Sequence, residues 1–273
     1  MPAKKRILFI VQEMAPYLEL TGYAAIVNRL AIRANETGLE VRVIMPKFGT
    51  INERRHRLHE VVRLSGINII IDNDDYPLII KVASLPTARL QVYFLDNEDY
   101  FKRKFVFNDE SGVFYEDNAN RAVFFCKGAL ETVKKFGWPP DIIHCGGWMT
   151  ALVPMYLKTA YKKEPVFADA KVVYTLDPSR FTEKLGTQFL KKAMISNQIR
   201  EKDMDPYKEG SHSAMNRGAA IYSDAIALSA EKTDQKLLDE LKKDKSKLIL
   251  PFQKNNPDVA DYLHLYQQLY GDK

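Results

Sequence analysis

A few short segments hold the residue types that act on polar ligands. His144 closes an apolar run and is followed by Cys145, Gly146, Gly147 and Trp148. A histidine so placed is either a buried, hydrogen-bonded residue or an acid or base working near neutral pH. Paired glycines ahead of a helix can leave backbone N–H groups open to an anion. Upstream, Glu19-Leu20-Thr21-Gly22-Tyr23 offers a glycine at a helix start, readable as a plain turn or as a point of close approach. Tyr93, Tyr100, Phe101, Phe105, Phe107, Phe114 and Tyr115 cluster in one region. Aromatic faces stack on sugar rings as well as on one another, so this cluster is a carbohydrate platform or a core. His56 and His59 form a His-x-x-His pair, but Arg54, Arg55 and Arg57 repel a cation and no Cys or carboxylate set completes the ligands. No metal is expected there. No Ser-His-Asp or Cys-His context is present, and no catalytic residue is assigned.

These segments must be held by regular elements. Ile7 to Val11 is an unbroken apolar run with β-branched residues, the pattern of a strand covered on both faces of a parallel sheet. Apolar positions from about Gly22 to Asn35 predict a helix stopped by Gly38, and Val41 to Met45 predicts a second strand closed by Pro46. Strand, helix, strand is a βαβ unit with a right-handed crossover. Val61-Val62, Ile67–Ile71, Leu78–Val82 and Leu90–Leu95 are runs separated by turn residues, which predicts a hairpin-rich insertion or edge extension. A helix over Tyr115–Phe136, a strand over Asp141–His144, a helix over Trp148–Tyr161 and a strand over Lys171–Thr175 resume the alternation. Ala225–Leu228 reads as a strand, Ala230–Lys242 as a charged helix, and Val259, Tyr262, Leu263, Leu265, Tyr266 and Leu269 as the face of a tail helix. The fold class is α/β, a doubly wound, Rossmann-like parallel sheet. In such sheets ligands bind beyond the carboxyl ends of the strands, here the loops after Val11, Met45, His144, Thr175 and Leu228.

Composition narrows the function classes. The chain has 273 residues, 46% hydrophobic and 27% charged, enough for one large domain. Its formal charge of +5 comes from mixed-sign runs, with no basic element interleaved with aromatics, so nucleic acid is not an expected partner. Cys126 and Cys145 lie in apolar segments and read as reduced, buried thiols, from which a cytoplasmic location is expected. The apolar run after Lys4-Lys5-Arg6 ends at Gln12, short of the roughly 7–15 residues of a signal peptide and the roughly 20 of a membrane span. No membrane association is expected.

Several blocks carry a family resemblance. Arg6 to Tyr17 with Thr21-Gly22, Gly38 to Phe48, Asp117-Asn-Ala-Asn-Arg-Ala-Val-Phe-Phe125, Asp141 to Pro154 and Met215 to Ser229 together resemble the N-terminal domain of bacterial glycogen and plant starch synthases. The resemblance implies one half of a two-domain (GT-B) glycosyltransferase, in which this half offers the glucan acceptor surface and a second half grips ADP-glucose. It also picks out Asn118 and Arg121, at the start of the family's helix, as crevice candidates beside Gly22, Tyr23, His144, Gly146, Gly147 and Trp148.

The same blocks depart from the family at working positions. Where the family has Lys-x-Gly-Gly against the donor phosphates, Leu20 falls at the lysine and Tyr23 at the second glycine, with Glu19 adding a repelling charge. Where it has His-Ala-His-Asp-Trp-His, Gly146, Gly147 and Met149 replace sugar-bonding residues, while His144 and Trp148 remain. Where it has His-Asn-x-x-Tyr-Gln-Gly, the chain reads Leu176-Asp177-Pro178-Ser179-Arg180-Phe181; Asp177-Pro178 predicts a turn, with Asp177 and Arg180 as a surface pair. The expected organisation is a domain over 1–245, a tail helix over 246–273 packed on it, and no donor-binding domain. Loss of the lysine and histidines removes sources of transition-state stabilisation. The expected role is a degenerate acceptor-side domain without transferase activity of its own or a cofactor, acting in α-glucan binding or as a partner subunit. The alternatives are the acceptor half of a split ADP-glucose-dependent glucosyltransferase completed by a donor-domain partner, and a regulatory pseudoenzyme that binds an unrelated ligand.

Overall fold

The computed structural model describes residues 4–85, 88–176, 181–254 and 259–271. The run Ile7 to Val11 forms the innermost strand, and none of its side chains reaches solvent. The strands are β1 (Arg6–Val11), β2 (Glu40–Pro46), β3 (His59–Glu60), β4 (Ile67–Ile71), β5 (Asp74–Leu85), β6 (Leu90–Asp96), β7 (Ile142–Gly146), β8 (Lys171–Leu176), β9 (Ala225–Leu228) and β10 (Leu248–Leu250). Their order is β10-β9-β8-β7-β1-β2-β6-β5-β3, with β4 hydrogen-bonded to β5. From β10 to β6 every neighbouring pair is parallel. β5 pairs antiparallel with β6, β3 and β4, so the hairpin region extends one edge of the sheet.

The helices are α1 (Tyr23–Glu36), α2 (Glu53–His56), α3 (Glu98–Phe101), α4 (Asn118–Phe136), α5 (Val153–Lys158), α6 (Phe189–Ala193), α7 (His212–Tyr222), α8 (Gln235–Leu241) and α9 (Ala260–Gly271). Chain order runs outward from β1 through α1 to β2, and the opposite way from β7 through α5 to β8. Right-handed crossovers therefore put α1 and α5 on opposite faces. α4, α5 and α7 pack together on the α5 face. α9 buries Tyr262, Leu265, Tyr266 and Leu269, one face of a helix, and covers the other side of β7 next to α1.

The structure moves several predicted boundaries, each for a local reason. α4 starts at Asn118 instead of Tyr115, because the Tyr115 amide bonds back to the Phe107 carbonyl and Asp117 pairs with Arg103. The helix predicted over Trp148–Tyr161 divides into a 3₁₀ turn, Trp148–Thr150, and α5. Pro154, without an N–H, fits the first turn of α5 and interrupts a continuous ladder. α8 begins five residues later than Ala230, at Gln235, because the Asp234 carboxylate accepts from the Leu237 amide and caps it. β10 was not anticipated; three residues are too few for a periodicity to register. Asp177, Pro178 and Arg180 lie outside the described residues. Cys126 and Cys145 are free and buried, and burial pushes the Cys126 thiol up to about 12. Among the described residues no helix is long and apolar enough to cross a membrane.

Candidate functional site

The loop after β1 is organised by one carboxylate. Buried Glu13 accepts from the Leu20 amide at 2.6 Å, the Thr21 amide at 2.8 Å and the Thr21 hydroxyl at 2.7 Å. Thr21 Oγ1 in turn accepts from the Tyr23 amide at the start of α1. Gly22, the N-cap residue, has helical φ and ψ and open space where a Cβ would stand. Its geometry thus does not demand glycine.

At Gly146 and Gly147, after β7, the situation is the reverse. A Cβ on Gly146 would overlap the ring of Tyr23, and one on Gly147 would overlap the Gln12 side chain. Gly147 also has φ +89°, a conformation that L side chains rarely adopt. The paired glycines therefore present no empty anion cradle. Tyr23, 5% exposed, lies in the space of the missing side chain at 146, and Gln12, 1% exposed, in that at 147. Gly147→Ala should cost about 2–3 kcal/mol of unfolding free energy through backbone strain and displacement of Gln12. Gly22→Ala should change it by no more than about 1 kcal/mol. Urea midpoints of the two variants check the contrast.

His144 is sealed inside the sheet. Its Nδ1 lies 2.5 Å from the Tyr266 hydroxyl and its Nε2 2.7 Å from Thr175 Oγ1, with Tyr262 stacked at 5.9 Å and Phe9 at 5.5 Å. Burial lowers its pKa to about 3, so the ring is neutral and takes one donor and one acceptor role. An imidazole with both nitrogens engaged and no solvent contact has no route to a substrate proton. Of its two readings, the geometry gives the structural one.

Trp148 is 2% exposed and forms the floor of an aromatic cleft. Phe107, Phe114 and Phe181 surround it at 5.1, 6.2 and 5.0 Å, and Phe114 stacks on Phe181 at 5.1 Å. With Asn108, Thr182 and Glu183 these rings enclose about 230 Å³. Phe181 also borders a second cleft of about 280 Å³, lined by Ser211, His212, Lys232, Thr233 and Asp234 beyond β8 and β9. Apolar rings beside hydroxyls and a carboxylate suit the two faces of a pyranose.

Asn118 and Arg121 do not join this crevice directly. Both are fully buried in the first turn of α4. Asn118 Nδ2 donates to the Phe107 carbonyl at 2.8 Å, and Arg121 donates to the Val106 and Tyr100 carbonyls and to Asn118 Oδ1. The guanidinium is also packed among Phe48, Phe101 and Tyr115. The pair fixes the loop that carries Phe107. Among the described residues no group of three or more His, Cys, Asp and Glu side chains could hold a metal ion, and His56 packs edge-on against Tyr17.

A family model described as the starch synthase catalytic domain matches residues 6–245. The chain belongs to that family. Glycogen synthase of Chlorobium limicola is 40% identical over 172 residues, covering 63% of this chain and 35% of the relative. Glycogen synthase of Chlorobaculum tepidum is 33% identical over 242 residues, covering 86% of this chain and 48% of the relative. The chain thus spans half or less of the length of these curated relatives. In three dimensions it matches the catalytic domain of starch synthase IV from Arabidopsis thaliana, solved with ADP and acarbose. The TM-score is 0.72 at 19% identity, covering 95% of this chain and 53% of that one. The likeness establishes a GT-B-type α/β fold.

Within this starch synthase-like domain, the sequence-predicted candidates fall into separate groups. Gly22, Tyr23, Gly146 and Gly147 meet where the β1 and β7 loops converge, His144 lies below them inside the sheet, and Trp148 opens on the aromatic cleft. Phe181, Glu183, His212 and Asp234 were not singled out by sequence reasoning. Phe181, Glu183 and His212 fall in a stretch that the sequence reading left unassigned and Asp234 inside the predicted charged helix, and only the aromatic ring of Phe181, five positions after Leu176, offered a signal.

Proposed function

We propose that this chain is an acceptor-side domain of the glycogen and starch synthase type that binds α-glucan, or serves as a partner subunit, without transferring glucose itself. The observation that carries the reading is the Tyr23 ring lying over Gly146. It fills the space between the β1 and β7 loops with a phenol, at the two positions where the family resemblance calls for a glycine and a histidine. Departing diphosphate needs positive charge and free amides there. Here Leu20 stands at the lysine position, and the Leu20 and Thr21 amides bond to Glu13. The aromatic cleft at Trp148 supports glucan binding by ring stacking.

A second reading, the acceptor half of a split ADP-glucose-dependent glucosyltransferase, is favoured by the apolar side chains left exposed on the crevice loops, namely Leu20, Phe105 and Val113. Isothermal titration with maltoheptaose and with ADP-glucose, together with a labelled-glucose transfer assay, tests the proposal. Heat of binding from maltoheptaose without transfer is expected. Glucose transfer by the chain alone would overturn it.

A further inference from the structure

At the opposite end of the strands from the crevice lies a second kind of cavity. It encloses about 530 Å³ between the C-terminal end of α5, the first residue of β8, the α7–β9 junction, the approach to β10, and α9. Its charged lining is Lys158, Lys171 and Lys247 against a single carboxylate, Asp224, and the hydroxyl-bearing Tyr222, Ser223 and Ser246 complete the polar wall. Asp224 is already committed, with both oxygens 3.0 Å from Lys158 Nζ and one of them accepting the Val172 amide at 2.7 Å.

Among the described residues neither of the other two ammonium groups has a carboxylate within ion-pair distance. Among the described residues Lys247 donates to the carbonyls of Ile221 and Ser223, and burial pulls its pKa down, which marks a charge held without full compensation. Lys171 has no ion-pair partner among the described residues. Next to this cavity a further one of about 310 Å³ shares Lys158, Lys171, Asp224 and Leu269. Its carboxylate Asp141 is neutralised by Lys5 at 2.7 Å and by the Arg6 amide. Asp169 also lines that neighbouring cavity.

We infer that the cleft between Lys158, Lys171 and Lys247 binds a phosphate-bearing anion. Three ammonium groups against one carboxylate leave an excess of two positive charges in the lining, which matches a phosphate dianion. The hydroxyls of Tyr222, Ser223 and Ser246 already donate to the Asp203 carbonyl, the Ala219 carbonyl and Asp244, so the ammonium groups are the donors to the anion. The cavity has room for more than the oxyanion, so the ligand is inorganic phosphate or a small phosphate ester. The site lies at the other end of the strands from the Tyr23–Gly146 contact, so a ligand here leaves the crevice empty. The inference stands independently of the glucan reading.

Thermal unfolding of the full chain in sodium phosphate, against sodium chloride at equal ionic strength, is the test. Phosphate is expected to raise the midpoint in a saturable way. Lys171→Gln, which removes no side-chain hydrogen bond or ion pair among the described residues, should weaken the fitted affinity about tenfold, the worth of one charged hydrogen bond. Lys247→Gln should do the same, and because Lys247 also caps α7, Lys171→Gln is the decisive variant. A hexose phosphate that acts at lower concentration than inorganic phosphate identifies an ester ligand, and equal potency identifies the free oxyanion. No difference between phosphate and chloride, or an unchanged phosphate response in Lys171→Gln, overturns the inference.

Discussion

A histidine placed at position 146 is expected to cost the protein about 3 kcal/mol or more, and removing the Tyr23 ring should return much of that loss. The imidazole of Gly146→His has to enter a volume already filled by a buried phenol, and overpacking of this kind forces side chains off their rotamers and shifts the backbone. Tyr23→Gly alone should also be destabilising, by about 3–5 kcal/mol, because it leaves a cavity beneath α1. In the double variant each change relieves the other. The coupling energy from a four-protein cycle of urea midpoints should therefore exceed about 2 kcal/mol. Strictly additive losses would show that ring and glycine are independent, and the account of a plugged crevice would fall with them.

Acid should weaken the fold through His144. Its folded-state pKa is depressed to about 3 from the usual 6.5. Between those values the unfolded chain binds a proton that the folded chain refuses, so stability is full above pH 6.5 and falls as the pH drops toward 3. The slope from this one group is on the order of 1.4 kcal/mol per pH unit. The groups that touch the ring are Tyr266, Thr175, Tyr262 and Phe9, none of which carries a charge that could hold the imidazolium. His144→Gln should flatten the dependence of the urea midpoint on pH between 6.5 and 4. An unchanged slope in the variant would mean that the ring is not the titrating group.

The parallel sheet was legible because its strands are apolar throughout, as β1 and β7 illustrate, and such runs survive any detail of packing. What could not be read was which residues share a space. Tyr23 and Gly146 are far apart in sequence and each has an ordinary local explanation, a helix start and a strand end. Only the register that sets β1 beside β7 brings the loop after one against the loop after the other. His144 kept both its readings for the same reason, since its partners Thr175 and Tyr266 come from β8 and α9. The aromatic cluster divided: Tyr100 and Phe101 went into a core with Phe124, Tyr93 packed on Phe136, and Phe107 and Phe114 turned to Trp148. Side-chain type alone does not select between those fates.

α9 brings residue 270 back to residue 5, where the Lys5 ammonium lies 5.2 Å from the Tyr270 ring centroid. The covering of β7 on that side is thus supplied by a segment that leaves the ribosome after every strand of the sheet. During synthesis, the His144 ring remains uncovered on the side of Tyr262 and Tyr266 until the helix arrives, and the Tyr266 hydroxyl is the last of its partners to exist. The segment matched by the family model ends at residue 245, before α9 begins, so the unit recognised by its relatives and the unit that completes its own folding do not share a boundary.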